Sequence, residues 1–179
     1  MKSIPSEAKL RGGYNSPPTI AQFLCDWAIQ SKSVTVLEPS CGDGIFVDYA
    51  CKRLLSLGVS ARDLPKKIQA TEFVLSVVQR AIERLKKSGI SRAEDIIHHS
   101  DFFEYIKKRN IKAAHKSVST ETVDVVVGNP PFIRYQNFPP EQREIAFSIL
   151  QSAGLHPNKL TNAWLPFLVI SSLMLSDKG

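Results

Sequence analysis

Residues 34–46, VTVLEPSCGDGIF, are the stretch on which the fold turns. Val34, Thr35, Val36 and Leu37 are β-branched or apolar and read as a buried strand. Gly42 and Gly44 then break the run, and a helical pattern begins. A strand, a glycine turn and a helix start in that order predict an α/β unit. Both glycines take backbone conformations closed to other residues and let main chain come close to a ligand. Ile45, Phe46 and Val47 stand where a third glycine would complete GxGxxG, so a dinucleotide is disfavoured. Glu38, closing the strand, suits an ammonium or another cationic ligand group.

Working outward, strands near 34–37, 67–71, 95–98 and 123–128 alternate with helical patterns. The expected architecture is therefore a parallel sheet with helices on both faces. A first helix over 19–29 follows Pro17-Pro18, a favourable start, with Ile20, Phe23, Leu24, Trp27 and Ala28 on one face. A second helix covers 44–57 and stops at Gly58. Val74, Val78, Ala81, Ile82 and Leu85 stripe a third, which ends at Gly89. The final helix covers 161–176. Residues 58–67 and 110–122 read as polar loops, and 133–160 as a long, partly helical excursion. Residues 1–12 are expected to be disordered and 1–179 to form a single domain.

Acids close the next two strands. Glu72 ends the second and is placed to take both hydroxyls of a ribose, although it lies further from the glycine turn than the usual spacing of about 20 residues. Asp101, after the third, can accept from the exocyclic amine of a nucleobase, with Phe102 packing on the base. Singly, both acids would more often be solvated loop acids or helix N-caps. At consecutive strand ends, where open α/β sheets bind ligands, they outline a nucleoside pocket.

The fourth strand leads into residues 123–132, VDVVVGNPPF. The Asn129 side-chain carbonyl and the Pro130 main-chain carbonyl can accept both hydrogens of a planar NH2 group. That frees the nitrogen lone pair and aims it at an electrophile by positioning alone. The two prolines stiffen the turn. Phe132 offers a ring face to a base pulled out of a duplex.

Taken in order, LEPSCGDGIF, ATEF, SDFF and VVVGNPPF resemble the S-adenosylmethionine-dependent adenine-N6 DNA methyltransferases of restriction–modification systems. The likeness is to the group whose cofactor motifs precede the target-recognition region. It covers residues 11–135 and 161–179, because Gly13-Tyr14-Asn15-Ser16-Pro17-Pro18 is similar to that family's first cofactor motif, with Ser16 where Thr is common. The resemblance implies a Rossmann-like class I methyltransferase fold and S-adenosylmethionine as cofactor. It implies that Tyr14, Ser16 and Glu38 line the methionine end, that Gly42 and Gly44 give it room, and that Glu72 holds the ribose. Asp101 and Phe102 would hold the cofactor adenine, and Asn129, Pro130 and Phe132 an adenine flipped from double-stranded DNA. The family's sheet normally continues past the strand bearing Asn129. The helix over 161–176 resembles the one before a fifth strand, so the chain is expected to stop short of that strand. Its target-recognition region is expected to be absent, and a C-terminal or specificity polypeptide would complete the enzyme.

The bulk composition agrees. Of the 179 residues, 43% are hydrophobic and 22% charged, as in a globular protein. The net charge of +6 suits a polyanionic partner. Cys25, Cys41 and Cys51 show no CxxC pairing, which points to reduced thiols, no metal site and a cytoplasmic setting. No apolar run is long enough for a membrane span. Two sister chemistries use the same tetrad logic, on a protein glutamine amide or on RNA adenine. A non-catalytic cofactor-binding fragment is the reading from a different class.

Overall fold

Short apolar runs bounded by turns assemble into one sheet in a computed structural model that describes residues 16–108 and 122–177. Its strands are β1 (Val36–Glu38), β2 (Ile68–Glu72), β3 (Ile97–His99) and β4 (Val125–Val126), all parallel in the order β3-β2-β1-β4. Val36 lies beside Ile68 on one side and Val125 on the other. This register brings Glu38, Glu72 and the residues after β4 to the same edge of the sheet. The helices are α1 (Pro18–Ala28), α2 (Ile45–Ser56), α3 (Leu64–Lys67), α4 (Leu75–Lys87), α5 (Phe102–Lys108), α6 (Pro140–Ser152) and α7 (Trp164–Leu173).

Alternation along the strands divides the core between two faces. Val36, Val125 and Val127 join a cluster with Cys25 of α1, Leu54 of α2 and Leu85 of α4. Leu37, pointing the other way, joins Phe102, Phe103 and Ile106 of α5, Ala146 of α6, and Phe167 and Ile170 of α7. The ring of Phe102 stacks on Phe167 at 5.3 Å between centroids, and that of Phe103 meets Phe167 at 4.7 Å. The parallel sheet with helices on both faces is thus the architecture predicted from the sequence.

Several elements differ in detail. Residues 58–67 are not all loop: Asp63-Leu64-Pro65 starts the single turn α3, and Leu64 is fully buried. α5 was not foreseen, since it is short and its apolar run FFEYI also suits a strand end. On α1 the apolar face read from the sequence is partly wrong. Ala21 and Cys25 are buried, with Leu24 and Ala28 packed beside them, while Ile20, Phe23 and Trp27 are exposed. Small residues face the neighbouring α2 because close helix approach needs them, and the large rings point outward.

β4 is shorter than the stretch 123–128. Asp124 interrupts it, with Oδ2 accepting hydrogen bonds from the Thr35 N–H at 2.8 Å and the Thr35 hydroxyl at 3.0 Å. Its Oδ1 accepts from the Ser176 hydroxyl at 2.9 Å. Val123 forms an isolated parallel bridge with Leu175, so pairing alongside β4 begins directly after α7. Residues 1–12, Tyr14 and nearly all of the 110–122 loop lie outside the described residues.

Candidate functional site

The turn after β1 is knitted to the end of β2. The Cys41 N–H donates to the Thr71 carbonyl at 2.9 Å, and the Thr71 hydroxyl donates to the Pro39 carbonyl at 2.6 Å. Glu72 closes the link: Oε2 accepts from the Gly42 N–H at 3.1 Å and Oε1 from the Val74 N–H at 2.9 Å. Each carboxylate oxygen keeps a second acceptor site, so Glu72 both shapes the turn and retains capacity for hydroxyl donors.

The two glycines of the turn have different physical reasons. Both have positive φ, 54° at Gly42 and 81° at Gly44. A Cβ on Gly42 would meet nothing within 4 Å, whereas one on Gly44 would lie 2.9 Å from the Cβ of Ala81 on α4. Gly42 therefore leaves open space at the turn, and Gly44 allows α2 and α4 to pack.

A cleft of about 1380 Å³ runs across the strand ends, lined by Ser16, Gly42, Glu72, Asp101, Phe102 and Asn129 among others. That exceeds the roughly 300–1,000 Å³ of a typical small-ligand site, leaving room for two ligand groups. The Asn129 Nδ2 donates to the Ser16 hydroxyl at 3.4 Å across 113 residues of sequence. Its Oδ1 has no partner among the described residues and remains free to accept. Asp101 is buried, and its Oδ1 accepts from the Glu104 N–H at 3.0 Å, capping α5. Burial raises its carboxyl above the usual range, and that hydrogen bond pulls partly against the rise.

Glu38, Pro130 and Phe132 do not line this cleft itself, but Pro39, Ser40 and Phe167 line both it and the smaller cavity beside it. Phe132 is 58% exposed, which leaves its ring face open. Pro130 and Glu38 line a second cavity of about 240 Å³ with Gly128 and α7. Gly128 is glycine because of Glu38: a Cβ there would fall 2.1 Å from Glu38 Oε1. No local pattern announces that contact, which joins the end of β1 to the segment after β4.

Phe73 was also missed. It follows Glu72, is 58% exposed and lines the main cleft, whereas Phe102 is only 2% exposed and stacked on Phe167. The available signal was the aromatic ending the ATEF stretch. Arg80 and Lys87 of α4 line the edge of the cleft with Glu83 between them, while Arg84 beside them pairs with Asp43 at 2.6 Å.

A parallel sheet with acids at its strand ends, a glycine turn at β1 and an Asn-Pro-Pro-Phe loop after β4 defines a Rossmann-like domain of the class I methyltransferase type. The chain belongs to the N-6 DNA methylase family, whose pattern it matches over residues 1–179. It is similar in fold to a DrdV–DNA complex, with 17% identity, a TM-score of 0.61 and coverage of 95% of this chain and 20% of that one. A modification subunit assigned to a type I restriction enzyme from Vibrio vulnificus YJ016 aligns at 17% identity and TM-score 0.57, covering 91% of this chain and 31% of the subunit. The ATP-dependent type ISP restriction–modification enzyme LlaBIII bound to DNA aligns at 17% identity and TM-score 0.60, covering 92% and 14%. The chain thus spans under a third of the length of these proteins.

Proposed function

We propose that this domain binds S-adenosylmethionine and methylates N6 of an adenine turned out of double-stranded DNA, as the modification activity of a restriction–modification system. The observation that carries the reading is the meeting of Asn129 with Ser16 in a cleft whose far wall is the Gly42 turn and Glu72. The cofactor fits the donors and acceptors present: acceptor capacity at Glu72 for a ribose, Asp101 for an amine, and an unpartnered buried carboxyl oxygen on Glu38 for an ammonium. Phe73 and Phe102 would flank the cofactor base, and Tyr14 would join Ser16 at the methionine end. When bound, the cofactor supplies an electrophilic methyl group.

The chain's own residues then orient the acceptor. Asn129 Oδ1 and the Pro130 carbonyl hold the two amine hydrogens, and Phe132 stacks on the base. No general base is required, because the alkylated nitrogen is strongly acidic and loses its proton to solvent. Duplex DNA is the partner, and a C-terminal or specificity polypeptide would supply target recognition. The setting is cytoplasmic; among the described residues no helix is long and apolar enough to cross a membrane.

The test has two arms. Calorimetry should register S-adenosylmethionine binding, weakened by about 1–3 kcal/mol in Glu72→Ala through lost hydrogen bonds. Tritiated-methyl transfer should favour duplex DNA over RNA or a glutamine-bearing protein once the specificity piece is supplied. Transfer to protein glutamine instead of DNA would overturn the substrate assignment.

A further inference from the structure

The turn between β1 and α2 sets Asp43 between two glycines that both take left-handed conformations. Glycine-rich backbone loses much freedom when it is fixed, so its shape needs outside support. Part of that support comes from the turn itself and from β2. The Gly44 N–H donates to the Cys41 carbonyl at 2.9 Å, and Thr71 and Glu72 accept from the Cys41 and Gly42 N–H groups. Asp43 is held from a different element. The Arg84 guanidinium on α4 donates from Nε to the Asp43 main-chain carbonyl at 2.8 Å and from Nη2 to Asp43 Oδ2 at 2.6 Å. Their side chains are 35% and 23% exposed, so the pair is less screened than one in open solvent. Both residues line the main cleft. One helical turn before Arg84, Ala81 is the small residue against which Gly44 packs. α4 therefore comes close at Ala81 and grips the turn with Arg84.

We propose that Arg84 is a positioning residue for the cofactor: its two-pronged hold on Asp43 sets the shape of the glycine turn before the ligand arrives. A planar fork that takes a carbonyl and a carboxylate together fixes main chain and side chain at once, which a single ammonium does not. The peptide joining Asp43 to Gly44 is then tied at both ends, its N–H to Cys41 and its carbonyl to Arg84. The turn is ordered during folding rather than during binding, and affinity gains by that difference. The inference rests on the cofactor reading above and adds what holds its turn in place.

Calorimetry with S-adenosylhomocysteine tests this on the full chain, well below each variant's thermal midpoint, where lost stability alone leaves affinity unmoved. Arg84→Ala should weaken binding about tenfold, because the ligand must then order the turn. Arg84→Lys keeps the charge without the fork and should recover only part of this. Asp43→Ala keeps the main-chain bond and should lose less, about threefold. The double variant should lose no more than Arg84→Ala, since both residues act through one contact. Affinity equal to the parent's in Arg84→Ala would overturn the proposal and leave the bridge purely structural. A loss in Arg84→Ala beside an unaltered Asp43→Ala would make Arg84 a direct ligand contact and also overturn it. If Arg84→Ala does not fold, Arg84→Lys and Asp43→Ala decide, and parental affinity in both would overturn it. Each of these outcomes leaves the cofactor reading standing; no binding by the unaltered protein would overturn that reading as well.

Discussion

At the scale of the residue, Glu38 and Gly128 form one unit. The carboxyl occupies the space that any side chain at position 128 would need. Gly128→Ala should therefore destabilise the protein by about 1–3 kcal/mol through overpacking. Adding Glu38→Ala should recover part of that loss, because neighbours in contact are not additive. Chemical denaturation of the single and double variants checks this, and strictly additive losses would refute the contact. Glu38 also sets a pH dependence. Its folded-state value, raised by burial from 4.5 to about 8, means that the folded protein holds this proton more tightly than the unfolded chain. The associated stability is full below about pH 4.5 and is lost as pH rises through about 8, on the order of 5 kcal/mol in all. Glu38→Gln should flatten that decline between pH 5 and about 8. An unchanged pH profile in the variant would assign the decline to other groups. Asn129 belongs to the same scale. If its acceptor addresses the target amine as proposed, Asn129→Ala should cut turnover of the active assembly by several orders of magnitude and leave cofactor affinity nearly unaltered, as a methyl-transfer assay beside calorimetry would read.

At the scale of the element, Asp124 ties three pieces of chain together: β1 through Thr35, its own strand, and the segment after α7 through Ser176. The Thr35 N–H, with the hydroxyls of Thr35 and Ser176, lowers its carboxyl below the usual range. Asp124→Ala leaves the Thr35 amide without its acceptor and should cost about 1–3 kcal/mol. Hydrogen exchange should quicken at Thr35 and Ser176, and protection there equal to the parent protein would count against this role. Gly44 makes the second interelement contact. Gly44→Ala combines a positive φ with a Cβ 2.9 Å from Ala81, so α2 and α4 must separate. A fall in thermal midpoint is expected, larger than for Gly42→Ala, where the added Cβ meets open space.

At the scale of the whole molecule, the +6 charge suits a polyanion, and Arg80 and Lys87, with Glu83 between them, stand at the edge of the cleft. Binding of duplex DNA should weaken steeply with added salt, and Arg80→Ala with Lys87→Ala should reduce the slope if the edge faces phosphate. Fluorescence anisotropy across a salt series reads both, and an unaltered slope would move the DNA contact elsewhere. Which residues were legible at this scale follows from where their information lies. The strand–turn–helix at 34–46, the acids Glu72 and Asp101 and the tetrad at 129–132 are local patterns, and the periodicity of α2 and α4 is local as well. From these the sequence by itself determined a parallel α/β sheet and the edge on which Glu38, Glu72 and Asn129 gather, because period and turn chemistry act within a few residues. Only the tertiary structure decided that Asn129 meets Ser16, that Gly44 serves Ala81, that Gly128 serves Glu38 and that Phe23 and Trp27 face outward. Each of those depends on the approach of segments far apart in sequence, and no local preference encodes the distance between them.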